Sequence, residues 1–215
     1  RYGFHGTLKA PFDLAPGHMT FARLFARYAY ETVACGRLMH QGPDIMQGWT
    51  RRIGDDIMTR ENYIEEKVAE EWARYTRPLS EIKWSDAKEI QRAGIGYAHN
   101  QKTDDYTVQG ALNYIERHFI DAYYDRESPQ RPLLLRVGLA QPHYPYITDE
   151  DKFRYYLPRV EPFTDQTPFD HPFLSQRQVR PGVDATEREI RRAVAAYYGM
   201  VETIDDLYGV VIDAL

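Results

Sequence analysis

Three ionisable side chains directly follow two short apolar segments of the sequence. Arg37 and His40 come after the segment from Glu31 to Cys35, and His143 comes after the segment from Leu133 to Leu139. The apolar segments predict buried strands, and open parallel α/β sheets bind ligands outside the carboxyl ends of their strands. Arg37, His40 and His143 are therefore the first candidates for chemistry.

The side-chain types suit an anionic substrate. Arginine carries a permanent positive charge and a planar fork of donors that fits sulfate, phosphate or carboxylate oxygens. His143 stands in the segment Pro142-His143-Tyr144-Pro145, where two prolines restrict the backbone and hold the ring in place. A histidine held in this way can donate a hydrogen bond to an ester oxygen or act as a general acid.

Each candidate also has a purely structural interpretation, which the sequence leaves open. Arg37 could be a surface arginine that pairs with Glu31 or Asp44. His143 could bond a loop carbonyl. His40 could pack beside its apolar neighbours Leu38 and Met39.

Other ionisable groups support weaker hypotheses. Cys35 could be a nucleophile whose pKa is lowered by Arg37, with a histidine as base, but a free cysteine at the end of an apolar strand more often behaves as a small buried hydrophobe. Paired acids could bind a metal, although we expect them to form solvated acidic faces; these pairs are Asp55-Asp56, Asp104-Asp105 and Asp205-Asp206.

Hydrophobic periodicity predicts the elements that position these residues. We expect a helix capped by Thr20, a helix over 60–75, a helix from Asp105 to Phe119, and a long helix from a Thr186/Glu189 capping box to Leu215. The 133–139 strand is almost continuously apolar, which is typical of a strand buried on both faces of a parallel sheet. Helices that alternate with strands predict an α/β fold.

Two segments lack a sustained period. Residues 77–104 are expected to form an irregular insertion, and residues 158–182 a long loop rich in proline and aromatic residues. The chain begins at Arg1 and closes within an apolar helical period at Leu215. We therefore expect it to be an internal fragment of a longer protein.

Composition excludes several classes of protein. A net charge of -5 over 215 residues argues against a broad nucleic-acid surface, and a single cysteine excludes an intrachain disulfide or a multi-thiolate zinc site. No apolar run approaches the roughly 20 residues that cross a bilayer. We expect neither a nucleic-acid nor a membrane partner, while a homo-oligomer stays open.

Four short motifs, in this order along the chain, resemble the central part of a sulfatase of the alkaline-phosphatase superfamily, most closely its choline-sulfatase-like branch. They are Tyr30 to Arg37, the stretch from Gly42 to Asp55, Gln141 to Tyr146, and Ala196 to Asp206. The resemblance implies that residues 1–215 are part of a sulfatase catalytic domain with an alkaline-phosphatase-like sheet flanked by helices, of which this chain holds an incomplete, central portion.

The resemblance also implies a reaction and roles in it. A formylglycine, made from the cysteine of a C-x-P-S-R motif, attacks a small sulfate ester beside a divalent metal (Ca, Mg or Mn). Arg37 matches the residue that binds the sulfate oxygens, and His143 matches the histidine that contacts the ester or assists the leaving group. His40 matches less closely, because the family histidine falls two residues after the cation and His40 falls three after Arg37.

The chain departs from the family pattern at the nucleophile and the metal. Cys35 continues as Gly36-Arg37 rather than C-x-P-S-R, and Asp170-His171 is followed by Pro172 instead of glycine. The nucleophile and the metal ligands are thus expected outside this chain, which alone should be inactive. A phosphonate or phosphodiester hydrolase of the same superfamily and a non-catalytic α/β binding module remain alternatives. The compartment is hidden with the missing amino terminus, although the cytoplasm is favoured.

Overall fold

A computed structural model describes residues 19–37, 46, 48–53, 86–124, 131–164 and 179–215 of the chain. The chain divides into two compact units. The described residues of the first unit lie within 1–64, 103–140 and 210–215, and those of the second unit lie within 65–102 and 141–209. The helix predicted over 60–75 lies outside the described residues.

Three parallel strands form the sheet of the first unit. In the described residues these are β1 (Glu31–Gly36), β2 (Arg51–Ile53) and β4 (Leu133–Gly138), in the order β2-β1-β4. Their register pairs Gly36 with Gly138. The buried strand predicted before Arg37 is therefore confirmed as β1. It lies between β2 and β4, and its residues Val33, Ala34 and Cys35 are fully buried.

Helix α1 (Phe21–Arg27) belongs to this unit. So does helix α3 (His99–Tyr124) from residue 103 onward. Thr20 caps α1 as predicted, since its side-chain oxygen accepts a hydrogen bond from the Arg23 N–H at 3.1 Å. The helix α3 contains the predicted 105–119 segment and begins six residues earlier.

The strand β4 has the predicted location but a different environment. All six of its residues are only half-buried, whereas the apolar run predicts burial on both faces. In the part of the chain that the structure describes, β1 is the only strand paired with β4. A groove open to solvent lies beside it, lined by Leu133, Leu134 and Leu135 together with His118 and Phe119.

The second unit contains elements that the sequence analysis predicts to be irregular. Helix α2 (Asp86–Gln91) and strand β3 (Gly94–Ile95) both lie within 77–104, and α3 begins there at His99. The first two elements are too short to show a period. The start of α3 buries Asn100, Gln101 and Thr103, so its inward face is polar and leaves no hydrophobic pattern.

Strand β3 pairs in parallel with β5 (Ile147–Thr148), which is followed by helix α4 (Glu150–Tyr156). The last helix, α5 (Glu187–Asp213), starts at the predicted capping box: Thr186 N–H donates to Glu189 Oε2 at 2.8 Å, and Glu189 N–H donates to Thr186 Oγ1 at 3.2 Å. Of the predicted 158–182 loop, residues 165–178 lie outside the described ranges.

The large apolar side chains of α5 are buried unevenly. Ile190 and Val211 are buried, whereas Tyr197 and Val201 are each 43% exposed and Ala193, Ala196 and Met200 are buried. Small residues allow close packing here: a Cβ on Gly199 would lie 2.7 Å from Thr148 Oγ1. A glycine at 199 therefore allows α5 to pack closely against Thr148.

Helices and parallel strands together make this a mixed α/β protein, as predicted. Among the described helices none is both long enough and apolar enough to cross a membrane.

Candidate functional site

Arg37 follows the last residue of β1. Its backbone N–H donates to the Gly138 carbonyl at 2.8 Å, which extends the pairing of β1 with β4 by one residue. The residue is half-buried. Arg37 thus stands at the carboxyl end of the central strand, where α/β sheets bind ligands.

Glu31, one structural partner considered for Arg37, is engaged elsewhere. It lies at the opposite end of β1, roughly 20 Å from Arg37 at about 3.3 Å per residue. Its carboxylate contacts Arg51 Nε at 2.7 Å and His118 Nδ1 at 3.7 Å. The second partner considered, Asp44, lies outside the described residues, as does His40.

Two glycines bring the backbone of Arg37 close to β4. Gly36 has φ of 73°, and a Cβ there would overlap the Gly138 carbonyl oxygen and the Thr107 side chain. A Cβ on Gly138 would overlap the Arg37 carbonyl oxygen. Only glycine fits either position, so this pair sets where the Arg37 side chain starts.

His143 is exposed, in the second unit, five residues after Gly138 along the chain. Its Nδ1 lies 2.8 Å from the Tyr144 carbonyl oxygen, and the two rings are 3.9 Å apart. This is the loop-carbonyl bond of the structural interpretation. It engages Nδ1 of a side chain that solvent reaches, so the bond holds the ring without excluding a role in chemistry.

Cys35 has none of the properties of a nucleophile. It is fully buried, its Sγ lies 3.0 Å from the Thr107 carbonyl oxygen, and burial raises the pKa of the thiol to about 12. At pH 7 a thiol with this pKa is a thiolate in about one molecule in 10⁵. The alternative of a thiol-dependent enzyme built on Cys35 is therefore not supported.

We expect Cys35 to resist alkylation in the folded protein. The native full-length protein, treated with iodoacetamide at pH 8, should show almost no modified Cys35 in peptide mass spectrometry, while the protein in 8 M urea should be fully modified. Cys35→Ala should retain the wild-type activity. A tenfold loss in a folded Cys35→Ala variant would return the thiol to the reaction.

Asp104 is a residue whose importance the sequence analysis missed. The pair Asp104-Asp105 was expected on a solvated face, but Asp104 is fully buried and its Oδ1 accepts the Ala140 N–H at 2.5 Å. The sequence contains a signal for this burial, because the helical spacing of the apolar residues of α3 continues towards its start in polar residues. The structure buries both sets, which are Asn100, Thr103, Asp104 and Thr107 and then Val108, Ala111 and Ile115.

Removing this acceptor should destabilise the protein. In Asp104→Ala the Ala140 N–H keeps its desolvation cost and loses its partner, so the free energy of unfolding should fall by about 2 kcal/mol. The exposed neighbour is the control, since Asp105→Ala should change it by no more than about 0.5 kcal/mol. Urea unfolding measures both, and equal losses would show that the Asp104 bond contributes little.

Ionisable residues elsewhere do not gather into a metal centre. No group of three or more His, Cys, Asp or Glu side chains among the described residues could hold a metal ion. Asp205 and Asp206 are exposed on α5, and Asp206 accepts a hydrogen bond from Lys152 at 2.6 Å. This pair forms the expected solvated face, while Asp55-Asp56 and Asp170-His171 lie outside the described ranges.

These observations define a mixed α/β protein that presents an arginine at the carboxyl end of a central parallel strand. No protein-family model matches the chain. Among curated proteins it is similar to the choline-sulfatase of Rhizobium meliloti (strain 1021), with 26% identity over 207 residues. The match covers 91% of this chain, which spans 38% of the length of that relative. The similarity supports a sulfatase-like relationship.

Proposed function

We propose that the full-length protein hydrolyses sulfate monoesters on an alkaline-phosphatase-like scaffold. The observation that carries the proposal is the similarity to a choline-sulfatase, which extends over 91% of this chain. The position of Arg37 at the end of β1 agrees with it, because the resemblance in the motifs assigns sulfate binding to this residue.

In this proposal Arg37 binds the sulfate group. Its guanidinium offers paired donors to two oxygens and keeps its charge at every physiological pH. As the S–O bond breaks, its electron pair moves onto the bridging oxygen, and a fixed cation that holds the sulfate group in place before the reaction lowers the energy of that state. The glycine pair beneath Arg37 provides a defined starting point for its side chain.

His143 is proposed to contact the ester oxygen and to assist the departure of the alcohol, with His40 as a companion. A carbonyl oxygen only accepts, so the Nδ1 that faces Tyr144 carries a proton and Nε2 is the nitrogen that gains or loses one. A protonated His143 can then donate from Nε2 to the leaving oxygen while it keeps the Nδ1 bond.

The described residues do not fit the formylglycine or the metal of the resemblance. Cys35 is buried, has a raised pKa and lacks the required motif, and no described cluster offers three metal ligands. We therefore assign neither group to the described residues.

Turnover of matched esters tests the proposal. The full-length protein should hydrolyse an aryl sulfate and prefer it over the aryl phosphonate with the same leaving group; choline sulfate is the first natural ester to assay. A preference of more than about a hundredfold for the phosphonate, or about 2.7 kcal/mol, would favour the phosphonate or phosphodiester hydrolase instead. No turnover of either ester, with no C/S-x-P-S/A-R motif encoded upstream, would favour the binding module.

A further inference from the structure

Asn100, the second residue of α3, connects this helix to the backbone around His143. Its side-chain amide donates to the His143 carbonyl at 2.6 Å and to the Tyr144 carbonyl at 3.0 Å. Asn100 is 2% exposed and lies in the same compact unit as both acceptors. Because both partners are carbonyl oxygens, the amide nitrogen and not its oxygen must face this loop.

Two residues of the loop around His143 lack a backbone donor. Pro142 and Pro145 have no N–H, and residues 141–146 form turns and bends rather than a strand. Buried backbone carbonyls need partners, and in an irregular segment these come from side chains or water. One buried amide supplies donors to two successive carbonyls, so it fixes the backbone that directly follows the His143 side chain.

The Tyr144 carbonyl links Asn100 to the imidazole. This oxygen accepts from Asn100 Nδ2 at 3.0 Å and also lies 2.8 Å from His143 Nδ1. A carbonyl oxygen has two lone pairs, so it can accept both hydrogen bonds at once. Asn100 therefore fixes the acceptor that decides which ring nitrogen of His143 carries the proton.

We propose that Asn100 is a positioning residue for His143, which it holds as the Nδ1–H tautomer with Nε2 as the nitrogen that exchanges a proton with the substrate. The role of His143 in turnover rests on the proposed sulfatase function, whereas the effect of Asn100 on the tautomer does not. The amide acts as a second layer behind the reacting histidine, in the way that such partners orient ligating and catalytic histidines in general.

The tautomer can be measured without any assay of activity. In full-length protein labelled with ¹⁵N-histidine, the resonances of His143, assigned by their loss in His143→Gln, should show the Nδ1–H tautomer in the wild type. Asn100→Ala should move the ring towards a mixture of tautomers. Asn100→Asp is the second variant, in case the alanine variant does not fold. Aspartate has nearly the same size as asparagine but no donor when ionised, so this variant should also move the ring towards a mixture of tautomers.

Gln101 provides the matched control. It is a buried amide on the same turn of α3, but its Oε1 accepts the Ala98 N–H at 2.5 Å, outside the His143 loop. Gln101→Ala should therefore cost stability and leave the tautomer of His143 unchanged. Equal tautomer populations in the wild type and in both Asn100 variants would overturn the proposal.

A double-mutant cycle tests the consequence for turnover. Asn100→Ala should lower kcat at least fivefold with KM within twofold, and should add less than a further twofold loss in a His143→Ala background. An equal loss in both backgrounds would show a general structural effect and contradict the positioning role. If His143→Ala instead keeps wild-type turnover, the proposed role of His143 in the reaction fails, and the tautomer measurement alone decides whether Asn100 sets the ring.

Discussion

Arg37→Ala should lower kcat/KM of the full-length protein for an aryl sulfate at least tenfold, or about 1.4 kcal/mol of transition-state stabilisation. The loss follows from removing the fixed cation proposed to bind the sulfate oxygens. Arg37→Lys should recover part of the activity, because lysine restores the charge but not the planar fork of donors. His143→Ala should also cost at least tenfold, by loss of the proposed contact with the ester oxygen.

Leaving-group chemistry separates the roles of the two residues. If His143 protonates the departing oxygen, the loss in His143→Ala should grow as the leaving alcohol becomes more basic, whereas the loss in Arg37→Ala should depend little on the leaving group. A series of substituted aryl sulfates measures both dependences.

Arg117 is the control for charge. It lies exposed on α3, and Arg117→Ala should keep the wild-type kcat/KM. Thermal unfolding of all variants separates lost chemistry from lost structure. Wild-type turnover in folded Arg37→Ala and His143→Ala proteins would refute the site assignment.

Gly36→Ala should lower the free energy of unfolding by about 2 to 5 kcal/mol, and the melting temperature should fall by roughly 10 °C. Two causes add up. A left-handed backbone costs an L-residue about 1–2 kcal/mol, and overpacking costs about 1–3 kcal/mol more. Both apply here, because Gly36 has φ of 73° and its added Cβ would lie 2.6 Å from Thr107 Oγ1.

Gly182 separates the two causes. It has a similar φ of 76°, but nothing lies within 4 Å of a Cβ added there. Gly182→Ala should therefore show only the backbone cost, about 1–2 kcal/mol. Differential scanning calorimetry compares the two variants, and equal losses would mean that the contact between β1, β4 and Thr107 relaxes at little cost.

Local signals in the sequence predicted the elements whose stability is local. The Thr20 cap, the Thr186/Glu189 capping box and the apolar Glu31 to Cys35 segment all correspond to observed elements. Each of these signals acts over a few residues, through a cap hydrogen bond or a short run of side chains. The position of Arg37 after β1 follows from them, and so does the mixed α/β class.

Signals that depend on distant partners were misread or absent. Asp104 appeared solvated in the sequence because a carboxylate is rarely buried, yet the Ala140 N–H satisfies it from 36 residues away. Along α5 the large apolar Tyr197 and Val201 are each 43% exposed, while the small Ala193 and Ala196 are buried. Neither the hydrogen-bond donor for a buried carboxylate nor the surface against which a helix packs is encoded in the spacing of one segment.

The sequence by itself determined the two strands that precede Arg37 and His143, and therefore which side chains follow the strand ends. Only the tertiary structure decided what those side chains can do. It buried the Cys35 thiol and raised its pKa, it engaged Glu31 far from Arg37, and it placed the Asn100 amide behind His143. Burial, hydrogen bonding and protonation depend on groups brought together from distant parts of the chain, so no local pattern contains them.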